Sequence, residues 1–426
     1  MGGPNMTDEL IPPRLRDDCF AMPQGVTWVP VNDALLKLRA ALVPILDTHM
    51  VHYAQALGAI LAQDAVAQRS NPPSPNSAVD GYGFAHSTTG DGVQKMILTE
   101  GVAAAGRPFV GRVPDGEAIR ILTGAILPEG VDTIVLEEDC VANTTHVAFD
   151  GPVKHGANAR AAGEDMQAGE IALRAKHRLR APDIALLSAL NVAEVSVFRP
   201  LRVGVLSTGD EIITAAGQPA EPHQIYDANR PMLLGLIQGW GYAAVDLGQV
   251  RDNPEEIAAR LDSAEVDVIL TSGGASAGDE DHVSQLLREA GTLSSWRIAL
   301  KPGRPLVLAL WGGVPVIGLP GNPVAALVCA AIFARPSLSL MAGAGWCEPL
   351  VMQVPAAFSK HKKPGRREYL RARLVNGAAE VFSSEGSGRI SSLVWAEGLV
   401  ELPEEACEIT PGVIVRYLPY AGLGIH

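Results

Sequence analysis

A glycine- and serine-rich loop is the first feature of this sequence that could do chemistry. It follows the apolar run VDVIL as TSGGASAGDED, residues 271–281, and leads into a predicted helix. Glycines let backbone amides approach a ligand closely, and a helix start offers free N–H groups to a phosphate. The loop is therefore a candidate phosphate site, although an ordinary flexible loop would also explain its glycines.

The acidic residues that end this loop indicate a metal ion. Asp279 and Asp281 stand just before the helix, where carboxylates also interact favourably with the helix dipole without any ligand. Beside a phosphate they would repel it unless a divalent cation lay between them. Oxygen-only ligands of this kind suit Mg2+, so these two residues are candidate metal ligands.

Two further loops are expected at the same edge of the fold. STGDE (207–211) follows the run RVGVL, and LPGNP (319–323) follows VPVIG. Asn322 could cap a helix that begins at Pro323. Ligands of open α/β sheets bind beyond the carboxyl ends of the strands, where these loops would lie.

Cations are scarce, so their clusters matter. KPGRP places Lys301 and Arg304 on a short turn, and the run 360–373 holds seven Lys or Arg residues in fourteen. An anion site and a solvated surface loop both remain open for this run. The motifs NSAVDGYGF (76–84) and RILTGAILPEG (120–130) are, from their residues alone, only turns.

The apolar patterns predict the secondary structure that positions these motifs. Over 200–340, continuous apolar runs alternate with helical patterns, which indicates a mostly parallel sheet covered on both faces. Residues 80–150 and 350–420 show short strands, and we expect the second region to form a small β-barrel. Residues 28–63 are predicted to be helical, with Asn32 as a cap, and 69–84 to be a turn-rich loop.

Composition excludes several classes of protein. The 426 residues carry a formal charge of −13, from 34 basic and 47 acidic side chains, which disfavours nucleic-acid and membrane-surface binding. Five scattered cysteines without a C-x-x-C pair indicate a reducing compartment and no thiolate metal site. The longest apolar stretch, Val324–Ala334, is too short to span a bilayer, and no signal-peptide pattern is present at the start, so we expect a cytoplasmic protein.

The motifs, taken in order, resemble the MoeA family of molybdopterin molybdenumtransferases, which is related to the E domain of gephyrin. The resemblance covers nearly the whole chain. It is carried by NSAVDGYGFA, RILTGAILPEGVDTIVLEED, GEDMQAGE, VGVLSTGDE, SGGASAGDEDHV, WRIALKPGRPL, GLPGNPVAAL, GRREYLR and SSEGSGRISSL.

This resemblance implies a multidomain α/β fold. The expected parts are a disordered extension (1–24), an elongated helical domain in two segments (25–70 and 152–198), an inserted β-rich domain (71–151), a MogA-like α/β/α domain with a mostly parallel sheet that binds molybdopterin (199–345) and a C-terminal β-barrel (346–426). It also implies a homodimer in which the partner's inserted domain completes the cleft, and a transient contact with the molybdopterin adenylyltransferase.

The implied reaction inserts molybdenum from molybdate into adenylyl-molybdopterin and releases AMP, assisted by Mg2+. The residues that match the family's motifs fall into three sets: catalytic residues, residues that bind the pterin, the nucleotide phosphate or molybdate, and metal ligands. The first set is Asp80, Thr123, Glu211, Asp252, Asp281 and Lys301, with Asp165 beside it; the second is Ser272, Gly273, Gly274, Arg304, Pro320, Pro323, Arg367 and Ser387; the third is Asp279 and Asp281.

The sequence departs from the family pattern in the anion-binding motifs. Pro75 stands where the family usually has Asp, Ala325 where many members have Ser, and Ala275 and Ala277 replace bulkier residues. Two other functions fit a pterin pocket: a binding or scaffold protein without turnover, and the preceding adenylyl transfer. The retained charged residues and the additional domains favour the molybdenum step.

Overall fold

The computed structural model describes residues 28–214, 217, 219–273, 282–289, 294–303 and 305–426. The predicted extension 1–24 and the predicted site residues Gly274, Asp279, Asp281 and Arg304 lie outside these ranges. The chain forms two compact units. The first unit comprises Met1–Val43, Leu201–Leu340 and Trp346–His426, and the second comprises Pro44–Pro200 and Met341–Gly345. The finer division into four domains stays a prediction.

Helix α1 (Val31–Ala41) begins the described part of the first unit. Val31, Ala34 and Leu38 recur at helical spacing and are buried. The residue that caps the helix is Pro30, so the prediction that Asn32 caps it is wrong. Asn32 instead accepts a hydrogen bond from Arg367.

The second unit consists mainly of short strands. Its single α-helix among the described residues, α2, runs over Ala181–Ala189. The strands are β1 Thr48–His52, β2 Ile60–Leu61, β3 Ala65–Val66, β4 Asn76–Ser77, β5 Gly81–Phe84, β6 Gly92–Ala103, β7 Glu117–Ile121, β8 Thr133–Leu136, β9 Cys140–Ala142, β10 His146–Gly151, β11 Ala159–Arg160, β12 Ile171–Leu173 and β13 Glu194–Phe198.

The second unit contains less helix than the sequence predicts. Residues 48–52 form β1, which pairs with β13, so the helices predicted up to residue 63 end with α1. The segments 44–70 and 152–198 thus contribute mostly paired strands and one nine-residue helix. The β-branched and aromatic residues of HMVHY suit a strand, and the long-range pairing with β13 overrides the local helical pattern.

A six-stranded sheet in the order β8-β5-β7-β6-β10-β9 forms the centre of this unit. The GYGF segment, predicted to lie in a loop, is its inner strand β5. Gly81 is required there, because a Cβ would lie 2.0 Å from the Val135 carbonyl oxygen. The close packing of β5 fixes the position of the residue before it, Asp80.

A second six-stranded sheet carries the α/β region of the first unit. The region's strands are β14 Arg202–Thr208, β15 Ile212–Ile213, β16 Ile225–Tyr226, β17 Ala243–Val250, β18 Val268–Ser272, β19 Ser294–Arg297, β20 Leu300–Lys301, β21 Pro305–Trp311 and β22 Val314–Leu319. Its helices are α3 Asn229–Gly239, α4 Pro254–Asp262, α5 His282–Glu289, α6 Pro323–Cys329 and α7 Arg335–Met341.

The order of this sheet is β17-β14-β18-β22-β21-β19. Its first four strands are parallel, which confirms the mostly parallel sheet. Strand β21, the run LVLAL, is antiparallel to β22 and is therefore an exception to the parallel arrangement. Gly312 and Gly313, with φ of 55° and 89°, form the tight turn that reverses the chain between them.

The apolar helix after LPGNP is longer than predicted. Helix α6, a π-helical turn at Ala330–Ala334 and α7 give 19 continuous residues, enough in length and composition to cross a membrane. In its most apolar window 89% of the residues are buried inside the protein, as in the core helix of a soluble protein. Pro336 has no N–H for the helix, and the Ser337 hydroxyl donates to the Phe333 carbonyl at 2.7 Å.

The C-terminal region is a closed β-structure, as predicted. It contains α8 (Ser391–Trp395) and β23 Met352–Pro355, β24 Lys360–Lys362, β25 Arg367–Val375, β26 Ala378–Val381, β27 Gly398–Leu402, β28 Cys407–Ile409 and β29 Ile414–Pro419. Its main sheet runs β20-β25-β27-β29-β23, with β26 also on β25. A bridge between Ala356 and Ala379 joins the two ends of this sheet. Strand β20 enters from the α/β region, so Lys301 lies in the barrel sheet.

Candidate functional site

The carboxyl edge of the parallel strands is lined by buried polar side chains. Ser207 of β14 and Ser272 of β18 are paired in register and reach this edge together. The side-chain oxygens of Ser207, Thr208 and Thr271 are buried and have no hydrogen-bond partner among the described residues. Burying such hydroxyls unpaired costs free energy, so the arrangement favours a polar ligand at this edge.

The glycine that follows β18 makes a close backbone approach. Gly273 has φ of 91°, and a Cβ there would lie 2.7 Å from the Thr208 carbonyl oxygen. If Gly321 carried a Cβ, that atom would lie 3.9 Å from the Cα of Gly273. The STGDE, TSGG and LPGNP loops therefore meet, as the sequence predicts, and the glycines allow their backbones to approach closely.

Asn229, the first residue of α3, links two of these loops. Its Nδ2 donates to Ser272 Oγ at 2.8 Å and to the Gly321 carbonyl at 2.6 Å. Its Oδ1 is buried and has no partner among the described residues. An acceptor left open there suits a ligand that presents an N–H group. Asn229 is not recognisable as a site residue from the sequence, because the segment NRP (229–231) indicates only the start of a helix.

The KPGRP turn reaches the same edge because β21 is antiparallel. Pairing of Val307 with Gly318 puts the start of β21 beside the end of β22, next to LPGNP. A Cβ on Gly303 would lie 3.0 Å from Cys329 Sγ, so the turn packs directly on α6. Pro320 is buried at this junction, and Pro323 is the first residue of α6, as predicted. Asn322 holds the cap position but makes no capping hydrogen bond with its side chain.

The predicted acids of the α/β region lie close to this edge. Glu211 follows β14, and its carboxylate packs against Gly209, where a Cβ would lie 2.7 Å from Oε2. Asp252 follows β17, and its backbone N–H donates to Asp210 Oδ1 at 3.2 Å. Within the described ranges, no three His, Cys, Asp or Glu side chains group closely enough to hold a metal ion.

Lys301 lies in a cluster of two lysines and two glutamates. Its Nζ is 2.5 Å from Glu385 Oε2 and 3.6 Å from Glu368 Oε1. Lys360 binds the other oxygen of Glu385 and lies 3.2 Å from Glu368 Oε2. Burial alone would raise the pKa of Glu385, but the hydrogen bonds from the two lysines outweigh it and lower this pKa to about 2. Burial would lower the pKa of Lys360, and the Glu385 hydrogen bond and nearby carboxylates raise it overall.

The other predicted anion-binding residues are also held by the barrel region. Arg367 lies 3.4 Å from Glu401 and 3.1 Å from Glu404. Ser387 is joined to α6 through its carbonyl, which accepts from the Val324 N–H at 3.2 Å. The basic run therefore makes specific ion pairs and is not simply a solvated loop.

The second unit holds the remaining predicted residues. Asp80 Oδ1 accepts from both the hydroxyl and the backbone N–H of Thr123, each at 2.6 Å. These two hydrogen bonds lower the pKa of the exposed Asp80 carboxyl. Asp165 Oδ2 accepts from Asn71 Nδ2 at 2.8 Å. The structure thus joins the NSAVDGYGF and RILTGAILPEG motifs through the hydrogen bonds between Asp80 and Thr123. Neither motif by itself predicts this contact.

The fold and this site define a multidomain α/β protein with a polar ligand site at the carboxyl edge of a mostly parallel sheet. Three family descriptions match consecutive parts of the chain: the MoeA N-terminal region (domain I and II) over residues 29–191, a probable molybdopterin binding domain over 204–339, and the MoeA C-terminal region (domain IV) over 353–420.

Relatives match over most of their length. The chain is 33% identical over 384 residues to a molybdopterin molybdenumtransferase of Haemophilus influenzae, covering 88% of this chain and 94% of that one. It is 32% identical over 382 residues to molybdopterin molybdenumtransferase 2 of Mycobacterium tuberculosis, covering 84% and 91%. The crystal structure of a molybdopterin biosynthesis MoeA protein from Pyrococcus horikoshii OT3 superposes with a TM-score of 0.81 at 28% identity, covering 92% and 100%. The chain belongs to the MoeA family.

Proposed function

We propose that this chain transfers molybdenum from molybdate to adenylyl-molybdopterin and releases AMP, the reaction of a molybdopterin molybdenumtransferase. The observation that carries the proposal is the meeting of three βα loops and the KPGRP turn at one sheet edge, where buried hydroxyls and the Asn229 acceptor have no hydrogen-bond partner among the described residues. The curated relatives with this name match the chain over more than four fifths of its length.

The residues of the α/β region bind and orient the pterin and its phosphates. Gly273 lets its loop pack closely against the Thr208 backbone, and Ser272, Gly273 and Gly274 are the residues proposed to hold the nucleotide phosphate or pterin. Asn229 keeps the TSGG and LPGNP loops in register and offers Oδ1 to a pterin or purine N–H. Positioning of this kind lowers the entropy cost of bringing the two substrates together.

The oxyanion is held on the barrel side of the same region. Lys301, Arg304, Arg367 and Ser387 form the molybdate-binding set, and Pro320 and Pro323 line the cofactor site beside it. Lys and Arg side chains donate charge-assisted hydrogen bonds to oxyanions, which hold molybdate beside the pterin sulfurs. Those sulfurs belong to the substrate, so the protein needs no cysteine ligands.

Carboxylates serve the release of AMP. Asp279 and Asp281 would supply the oxygen ligands that Mg2+ prefers, and Mg2+ held there would neutralise charge on the phosphates. Glu211 and Asp252 are the other catalytic carboxylates of the α/β region. Asp80 and Thr123, which form one hydrogen-bonded pair, are the catalytic residues of the inserted domain, and in this proposal the inserted domain of the partner subunit completes the cleft. The enzyme is a cytoplasmic homodimer in this proposal, with a transient contact to the adenylyltransferase that supplies its substrate.

The test measures AMP release from adenylyl-molybdopterin with Mg2+, with and without molybdate. Wild type should release AMP in a molybdate-dependent manner, and Asp281→Ala should lose this release by roughly 100-fold or more. Asp150→Ala, an exposed carboxylate of β10, is the matched control and should behave as wild type. Tight binding without AMP release would indicate a pterin-binding scaffold instead, and AMP transfer from ATP would indicate the adenylyltransferase.

A further inference from the structure

The Lys301 ammonium group is already bound to a carboxylate of the protein. Glu385 places Oε2 2.5 Å from Lys301 Nζ and its other oxygen on Lys360. One anion therefore bridges two ammonium groups by separate oxygens. A tetrahedral oxyanion bound between the same lysines would contact them in the same way.

The two carboxylates of the cluster differ in how firmly they are held. Glu368 belongs to strand β25, and its side chain is 11% exposed. Glu385 lies between β26 and α8, and its side chain is 43% exposed. Because Glu368 is fixed by the sheet, Glu385 is the carboxylate whose side chain can leave the lysines.

The backbone around Glu385 is anchored independently of its side chain. Buried Arg371 donates to the carbonyls of Glu385 at 3.5 Å and Gly386 at 3.3 Å, and to that of Ser384. The Ser387 carbonyl is bound to the start of α6. A side chain can therefore move here without unfolding its loop.

There is room for this movement. A cavity of about 190 Å³ adjoins the cluster and is lined by Lys360, Glu385 and the hydroxyl-bearing Ser359, Ser383 and Ser384, among others. A carboxylate that left Lys301 could turn into this cavity and remain near Lys360 and the serine hydroxyls. Hydrogen bonds from these hydroxyls would offset part of its desolvation cost.

We propose that Glu385 is an internal, displaceable anion that occupies the oxyanion position at Lys301 and yields it to molybdate. This inference rests on the proposed function, in which Lys301 binds molybdate. Coulomb attraction scales with charge, so a dianion displaces a carboxylate more readily than a monoanion of the same shape does. Glu385 thus lowers the apparent affinity of the position for any oxyanion that must displace it.

The test is calorimetric titration of the full-length protein with molybdate and with perchlorate, a tetrahedral monoanion. Glu385→Gln should bind molybdate roughly tenfold more tightly than wild type, and its affinity for perchlorate should also rise, because the same carboxylate no longer competes. Glu380→Gln has the same charge change in the same barrel but pairs with Arg373, and it should match wild type. The gain should vanish in Glu385→Gln combined with Lys301→Met.

Binding no tighter than wild type in Glu385→Gln would overturn the inference. If that variant does not fold, Glu385→Asp shortens the side chain by one methylene, and unchanged molybdate affinity there would equally overturn it. AMP release separates the two proposals. Wild-type release that depends on molybdate, without the affinity gain in Glu385→Gln, leaves the proposed function standing alone. The affinity gain without any such release would keep Glu385 as a competing anion at Lys301 and overturn its role toward molybdate as a substrate.

Discussion

The side-chain amide of Asn229 lies 2.6 Å from the Gly321 carbonyl oxygen and ties the start of α3 to the LPGNP loop. Through its second bond, to Ser272, the same amide reaches the TSGG loop. One side chain therefore holds two of the loops that form the ligand edge, 43 and 92 positions away in sequence.

Replacing Asn229 by Ala should weaken both the fold and ligand binding. Two buried hydrogen bonds are lost and the Gly321 carbonyl loses a donor, so we expect a loss of about 1–3 kcal/mol in the free energy of unfolding. KM for adenylyl-molybdopterin should rise roughly tenfold, because the loops lose their register. Urea unfolding and steady-state AMP release measure the two effects.

Asn253→Ala is the control for this variant. Asn253 caps α4 by accepting from Glu255 and Glu256 N–H groups, so its loss should cost about 1 kcal/mol of stability. It should leave KM unchanged. An Asn229→Ala enzyme with wild-type KM would show that Asn229 is only a structural link.

Gly273→Ala should weaken ligand binding at the site more than it lowers the stability of the fold. Its φ of 91° is unfavourable for alanine, and the new Cβ would lie 2.7 Å from the Thr208 carbonyl oxygen. The strain alone costs about 1–3 kcal/mol, and the loop must shift to relieve the clash. We expect ligand affinity, measured by equilibrium binding of the substrate, to fall by roughly 100-fold.

Gly313→Ala separates strain from the clash. Gly313 has φ of 89° in the β21–β22 turn, and a Cβ there meets nothing within 4 Å. This variant should lose about 1–2 kcal/mol of stability and keep full affinity. Equal affinity losses in both variants would mean that the close approach at Gly273 does not matter for binding.

Thr123→Val should move the acid limb of the pH profile to higher pH. The Thr123 hydroxyl is the largest cause of the lowered Asp80 pKa, so removing it lets this pKa rise toward its ordinary value. If Asp80 acts as a carboxylate, the mutant loses kcat/KM at a pH where wild type is still active. The pH dependence of AMP release checks this, and an unshifted acid limb would remove Asp80 from the reaction.

The Glu385 ion pairs should make stability depend on pH in the acid range. The folded-state pKa of Glu385 is about 2, below its ordinary value of 4.5, so its ionised form is favoured by folding. This contribution is complete above about pH 5 and is lost as the pH falls through 2. Wild type should therefore exceed Glu385→Gln in urea midpoint near neutrality, and the difference should shrink toward pH 2. A constant difference over this range would contradict the ion-pair assignment.

The sequence predicts the parallel part of the fold because burial on both faces leaves a clear pattern. RVGVL and VDVIL are continuous apolar runs, and in the structure they are neighbouring strands β14 and β18. The direction of β21 leaves no such trace, because a buried antiparallel strand has the same composition. Similarly, THMVH forms β1 only through its pairing with β13, more than 140 residues away.

The site is predictable where a motif concentrates unusual residues and not where a single residue links distant loops. Gly273 and Lys301 stand out because they belong to motifs rich in glycine or in cations. Gly273 lies at the predicted edge of the parallel sheet, and Lys301 begins the KPGRP turn that reaches this edge. Asn229 and Glu385 do not stand out, since each resembles an ordinary helix start or surface acid. The available signal for Asn229 was an asparagine at the start of a helix that begins at the same sheet edge. Glu385 could not be predicted, because the two lysines that bind it lie on separate segments of the chain.

The most direct test of molybdenum transfer measures molybdenum bound to the pterin and AMP released in the same single-turnover reaction. Wild type should release AMP and gain pterin-bound molybdenum in equal amounts and at equal rates, since both come from one substrate molecule. AMP release without pterin-bound molybdenum, or neither product in the presence of Mg2+ and molybdate, would contradict the proposed reaction.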